Sequence, residues 1–248
     1  MPGTDTALFY IEDFFIRPGD RVALLGHNGV GKTTLINEIM NRYENDRDGE
    51  SIKFNPQCEI GYYDQELETL SPNRTMVEIL RDSCHGADSD HKSALIKAGF
   101  PYTDIDKQVR VLSGGEKARL MFLIMKLNRP NFLILDEPTN HIDIEGKEEL
   151  EAQLLESDAT VLITSHDRRF VDNIADRHVL IHDGVMREIH DPARFYELDR
   201  QVTGNASRPT STDKPAEASE PADEEEMLQR IVELERVLAE DLARKPKF

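Results

Sequence analysis

The chain has 248 residues and a formal net charge of −18. Residues 203–248 hold 11 acidic and 7 basic side chains, which leaves −14 on residues 1–202. So acidic a chain gives no direct sequence evidence for nucleic-acid binding, which needs clustered Lys and Arg, and solubility accounts for the charge. No apolar run reaches the roughly 18 residues of a membrane span, and no basic-then-apolar leader opens the chain. Cys58 and Cys84 have no motif spacing, which fits a reduced, cytoplasmic setting.

In chain order, residues 7–19 read as a short strand and turn, with Phe14, Phe15 and Ile16 leading into Pro18-Gly19-Asp20. Val22-Ala23-Leu24-Leu25 is an apolar run, and Leu35, Ile36, Ile39 and Met40 follow at helical spacing. Between them stands Gly26-His27-Asn28-Gly29-Val30-Gly31-Lys32-Thr33-Thr34, which carries the pattern G-x-x-x-x-G-K-T. Strand, glycine loop and helix together make a phosphate-binding P-loop. Glycines let successive N–H groups point into one concavity, and the helix N-terminus behind them favours an anion. Lys32 adds a point charge on the outer phosphates, and the Thr33 hydroxyl suits Mg2+.

Residues 41–59 are polar and read as loop and hairpin; Ile60-Gly61-Tyr62-Tyr63 is a short strand ending at Asp64-Gln65. Residues 66–110 change character, with helical spacing over 75–81 and 92–98 that predicts a small helical insertion. Leu112-Ser113-Gly114-Gly115-Glu116 precedes a strongly apolar helix that stops near Asn128-Arg129-Pro130. Phe132-Leu133-Ile134-Leu135 and Thr160-Val161-Leu162-Ile163-Thr164 read as buried parallel strands. Helices are expected over 145–156 and near Phe170, Ile174 and Ala175, and a hairpin around Asp183-Gly184. Strands alternating with helices imply an α/β fold with a mostly parallel sheet covered on both faces. Residues 203–226, with Pro209, Pro215 and Pro221, read as a disordered linker. Residues 227–248 turn helical again, with Leu228, Ile231, Leu234, Leu238 and Leu242 on one stripe. Such a helix either packs on a partner or frays.

Two further stretches carry chemistry. Asp136 ends a buried apolar strand, a Walker B arrangement that would hold Mg2+, and Glu137 stands where an attacking water could be polarised. The bland alternative is a pair of carboxylates at a strand end. Ser113-Gly114-Gly115 alone is a weak turn signal, but ahead of a helix it makes a second N-terminal anion site.

The order of P-loop, Leu112-Ser113-Gly114-Gly115-Glu116, Ile134-Leu135-Asp136-Glu137-Pro138-Thr139-Asn140 and Thr164-Ser165-His166-Asp167 resembles the ABC-type ATPase domains over roughly residues 7–195. The resemblance implies a P-loop NTPase head over 1–202, with a mostly parallel sheet, an antiparallel β part and an inserted helical subdomain at about 66–128. It implies ATP and Mg2+ as ligands. Gln65 matches the Q-loop glutamine that contacts Mg2+, Glu137 the catalytic glutamate, Asp143 the D-loop and His166 the switch histidine at the γ-phosphate, with Lys32 also in the catalytic set. It also implies that two heads stack head to tail, so that Ser113, Gly114, Gly115 and Glu116 serve another head's nucleotide. The second head would be an identical chain or a missing N-terminal head. One departure is that the adenine-stacking aromatic expected upstream of the first strand should fall at or before Asp5, where no aromatic stands. Glu116-Lys117-Ala118-Arg119 and Asn140-His141-Ile142-Asp143 look like ABC-F proteins, members that act on ribosomes and normally hold two heads in one chain. The chain most resembles their second head. The ribosome is then an expected partner, and the alternative is the ATPase subunit of an ABC transporter.

Overall fold

The computed structural model describes residues 10–11, 14–47, 49, 51–65, 67, 69–140, 142–193 and 195–196. The expected linker at 203–226, the helix at 227–248 and His141 lie outside the described residues. The elements below belong to the compact unit that ends at Glu188, apart from the last residue of the final strand.

The strands are β1 (Tyr10–Ile11), β2 (Arg21–Leu25), β3 (Ile60–Tyr63), β4 (Phe132–Asp136), β5 (Thr160–Thr164), β6 (Arg177–His182) and β7 (Val185–Ile189). The helices are α1 (Lys32–Asn45), α2 (Met76–Ser83), α3 (Asp88–Lys97), α4 (Gly114–Asn128), α5 (Ile144–Glu156) and α6 (Arg168–Ile174). One sheet holds all seven strands in the order β1-β7-β6-β2-β5-β4-β3. Strand β2 pairs in parallel with β5 and β6, and β4 pairs in parallel with β3 and β5. The two-residue turn Asp183-Gly184, with φ of 48° and 71°, joins β6 to β7. Two successive positive φ values suit the twist of a tight hairpin, which makes β6–β7 the antiparallel part.

The central strands are apolar because the sheet is covered. Val22, Ala23, Ile134, Val161, Ile163 and Ile181 are fully buried, and Ile36 of α1 packs with Val22, Leu24, Ile134, Leu162 and Val179 in one core. Helices α2, α3 and α4 all fall between β3 and β4 and pack on one another. Thr75 starts α2 with a reciprocal capping box: its hydroxyl accepts from the Glu78 amide while Glu78 takes the Thr75 amide.

The hairpin expected within residues 41–59 is not found among the described residues of that stretch. Residues 41–45 extend α1, and none of the described residues from Asp46 to Glu59 lies in a strand. Arg42 explains the extension, since its guanidinium bonds Glu38 at 2.7 Å and Asp46 at 2.8 Å, one turn away on either side. Such i,i+4 pairs support a helix whose composition alone is polar. Beyond it Ile52 and Phe54 alternate with Ser51, Lys53 and Asn55, a strand-like pattern that Pro56 cuts short.

Candidate active site

The parallel register brings the carboxyl ends of β2, β5 and β4 side by side, the place where open α/β sheets bind ligands. The glycine loop leaves β2 there. Gly26 has φ of 154°, and a Cβ on it would stand 2.8 Å from Val30 Cγ1 and 3.0 Å from the Ile181 carbonyl, so only glycine fits. Gly31, left-handed at φ 110°, turns the loop into α1. Lys32 Nζ donates to the carbonyl oxygens of Gly26 at 2.6 Å and His27 at 3.2 Å, folding the ammonium over its own loop. Asn28, Gly29, Thr33 and Thr34 are exposed along the loop and the first turn of α1, where anion-binding N–H groups must be.

Asp136 closes β4 and is 1% exposed. One carboxylate oxygen accepts from the Thr164 hydroxyl. The other, Oδ2, has no hydrogen-bond partner among the described residues. A buried carboxylate oxygen left so calls for a cation, and Thr33 and Asp136 are hard oxygen donors of the kind Mg2+ takes.

Glu137 follows in the left-handed region at φ 50° and is 5% exposed. That backbone costs about 1–3 kcal/mol and persists only where its surroundings over-determine it. Here the Glu137 amide donates to both the carbonyl and the hydroxyl oxygen of Thr164, each at 3.1 Å. Its Oε2 accepts from the His166 amide at 3.1 Å, and its Oε1 lies 3.3 Å from His166 Nε2. Burial pushes the carboxyl above the usual glutamate range, against the pull of His166 and Lys32, and Asp136 adds to the rise. The His166 side chain is about half exposed at the end of β5. Lys32, Asp136, Glu137 and His166 thus form one electrostatic cluster.

Gln65 stands half-buried just past β3. Tyr63, two residues before it, stacks on Phe122 of α4 at 5.1 Å, tying that edge of the sheet to the helical group. Ser113 and Glu116 lie at the start of α4. They bond to each other: the Ser113 amide and hydroxyl donate to Glu116 Oε2 at 2.8 and 2.9 Å, and the Glu116 amide donates to Ser113 Oγ at 3.3 Å. Asp143 caps α5 by accepting from the Gly146 amide at 2.8 Å. In this head, then, the serine, the glutamate and Asp143 each have a local structural task.

Sequence reasoning missed Thr164, the fully buried hydroxyl that joins Asp136 to Glu137. It also missed the Thr139–Ser165 bond at 2.9 Å and the Lys147–Asp167 ion pair at 2.8 Å. A polar residue closing an apolar strand was the available signal for Thr164.

The family described as ABC transporter matches residues 12–140. The chain belongs to this family. As an ABC ATPase domain it is similar to ABC transporter F family member 5 of Arabidopsis thaliana, at 34% identity over 88% of this chain and 31% of that protein. It is similar to the ATP-binding protein Uup of Haemophilus influenzae at 34%, over 84% of this chain and 32% of the relative. It is similar to the ribosome protection protein VmlR of Bacillus subtilis at 30%, over 93% of this chain and 44% of the relative. The ABC domain therefore spans less than half the length of each. A dimeric ATP-binding cassette in a post-hydrolysis state bound to ADP and Pi shares its fold, with a TM-score of 0.55 at 22% identity, covering 72% of this chain and 89% of that one.

Proposed function

We propose that this head binds Mg-ATP at Gly26–Thr34 and hydrolyses it when stacked head to tail on a second ABC head, as part of an ABC-F type translation regulator in the cytoplasm. The observation that carries the reading is Glu137, buried and held by Thr164 and the His166 amide beside Asp136 and Lys32. In this reading the N–H groups of the P-loop and Lys32 hold the phosphates. Thr33, Asp136 and Gln65 would hold Mg2+, which when bound would offset the phosphate charge. Glu137 orients and deprotonates the attacking water, and His166 steadies the γ-phosphate. Ser113, Gly114, Gly115 and Glu116 face the other head's nucleotide, with Asp143 at the seam. The head runs over 1–202 with its helical subdomain at about 66–128, followed by a linker over 203–226 and a helix over 227–248. The ribosomal assignment leans on the F-family relatives and on VmlR, whose name ties that protein to the ribosome.

The test is phosphate release and sedimentation velocity on the full chain and its Glu137→Gln variant. The expected result is release by the wild type, loss of release in the variant, and an ATP-dependent dimer of the variant. Equal release by both proteins, or a monomeric variant at high concentration with ATP, overturns the reading.

A further inference from the structure

The switch histidine lies in a turn whose position has to be set by something other than its own exposed ring. Its backbone amide bonds Glu137 Oε2 at 3.1 Å. The next residue, Asp167, starts α6 by accepting from the Phe170 amide at 3.3 Å through Oδ1. Its other oxygen, Oδ2, accepts from Lys147 Nζ at 2.8 Å. Lys147 belongs to the first turn of α5, whose cap is Asp143. Ser165, on the other side of the histidine, shares a 2.9 Å bond with Thr139 and accepts from the Asp167 amide at 3.0 Å. The turn is therefore fastened twice: on the glutamate side through Ser165 and Thr139, and on the α5 side through Lys147. Asn173 of α6 also donates to Glu151 of α5 at 3.0 Å, a second direct tie between the two helices.

We infer that Lys147 is a positioning residue for hydrolysis, fixing the His166 turn through Asp167 and tying it to the α5 start that carries Asp143. The inference rests on the hydrolytic reading above. It gives the Lys147–Asp167 pair a purpose that stability does not. Both side chains are about a third exposed, and such pairs contribute little to folding. Burial works against charge on Asp167, yet Lys147 and the Phe170 and Arg169 amides outweigh it, and its carboxyl lies below the usual aspartate range. The Asp167 carboxylate is thus ionised throughout the neutral pH range.

The experiment compares steady-state ATP hydrolysis by the full chain and its Lys147→Met and Lys147→Arg variants, with thermal unfolding of each. Lys147→Met is expected to lower kcat about tenfold, because small misplacements of catalytic groups act on the chemical step. KM for ATP should stay within about twofold if ground-state binding is untouched, and Tm should shift by no more than about 4 °C. Lys147→Arg should restore most of kcat. A Lys147→Met kcat close to wild type, or an arginine variant no better than the methionine one, overturns the inference. So does a kcat loss matched by a large fall in Tm. A wild-type chain that releases no phosphate overturns the hydrolytic reading instead, which separates the two failures.

Discussion

Glu137 combines burial, a left-handed backbone and a raised pKa in one residue. A carboxyl that must be ionised to take a proton, yet is pushed above its ordinary 4.5 by burial, moves the acid limb of catalysis upward. The pH profile of kcat should therefore fall on the acid side at a pH above that value; a limb at or below it would show that Glu137 is not the titrating base. The stability effect has the opposite sign from a paired carboxylate. With its folded pKa raised, the ionised form costs stability above that pKa, and the cost disappears as pH drops below the unfolded value. Glu137→Gln should then be at least as stable as wild type at neutral pH, measured by urea unfolding, although its activity is lost. Lys32, Asp136, His166 and Glu137 were all legible in the sequence because each closes or follows an apolar strand. The reach of Glu137 to the His166 amide was not, since only the β4–β5 register brings residues that far apart in sequence together.

Among the elements, α3 carries a buried polar group that chemistry does not use. His91 is 2% exposed, and neither ring nitrogen has a hydrogen-bond partner among the described residues. Gly86, at φ 140°, lies close over it, with a Cβ there 3.2 Å from His91 Nε2. An unsatisfied buried polar atom costs about 1–3 kcal/mol, so His91→Leu should hold the fold and raise Tm in a thermal melt. A fall in Tm would mean that the imidazole serves the packing of α2 and α3. Helix boundaries show what local sequence can and cannot reveal. The Thr75-to-Glu78 capping box marks the start of α2 outright, and Asn128-Arg129-Pro130 marks the end of α4, where Arg129 turns left-handed at φ 49°. The expected hairpin within residues 41–59 failed because a polar stretch was read for what it lacks. The Arg42 pairs that carry α1 to Asn45 depend on charges spaced one turn apart, a signal weaker than apolar periodicity.

For the molecule as a whole, the ABC-F and transporter readings assign the proposed cycle different partners. No helix among the described residues is long and apolar enough to cross a membrane. On the ABC-F reading, the Glu137→Gln chain with ATP should sediment with ribosomes and leave membrane vesicles in the supernatant; the reverse pattern favours the transporter alternative. The order of strands was less legible than their existence, because parallel neighbours come from distant stretches of chain. Strand β5 sits between β2 and β4 and contributes Thr164, whose one oxygen binds the Asp136 carboxylate and receives the Glu137 amide. Asp136 and Glu137, the metal-side and water-side acids of the proposed site, are therefore joined through a single atom. Damage to either reaches the other, so substitutions at these three positions cannot be independent. Combined variants should lose less than the product of their separate losses, since the first change already undoes that junction.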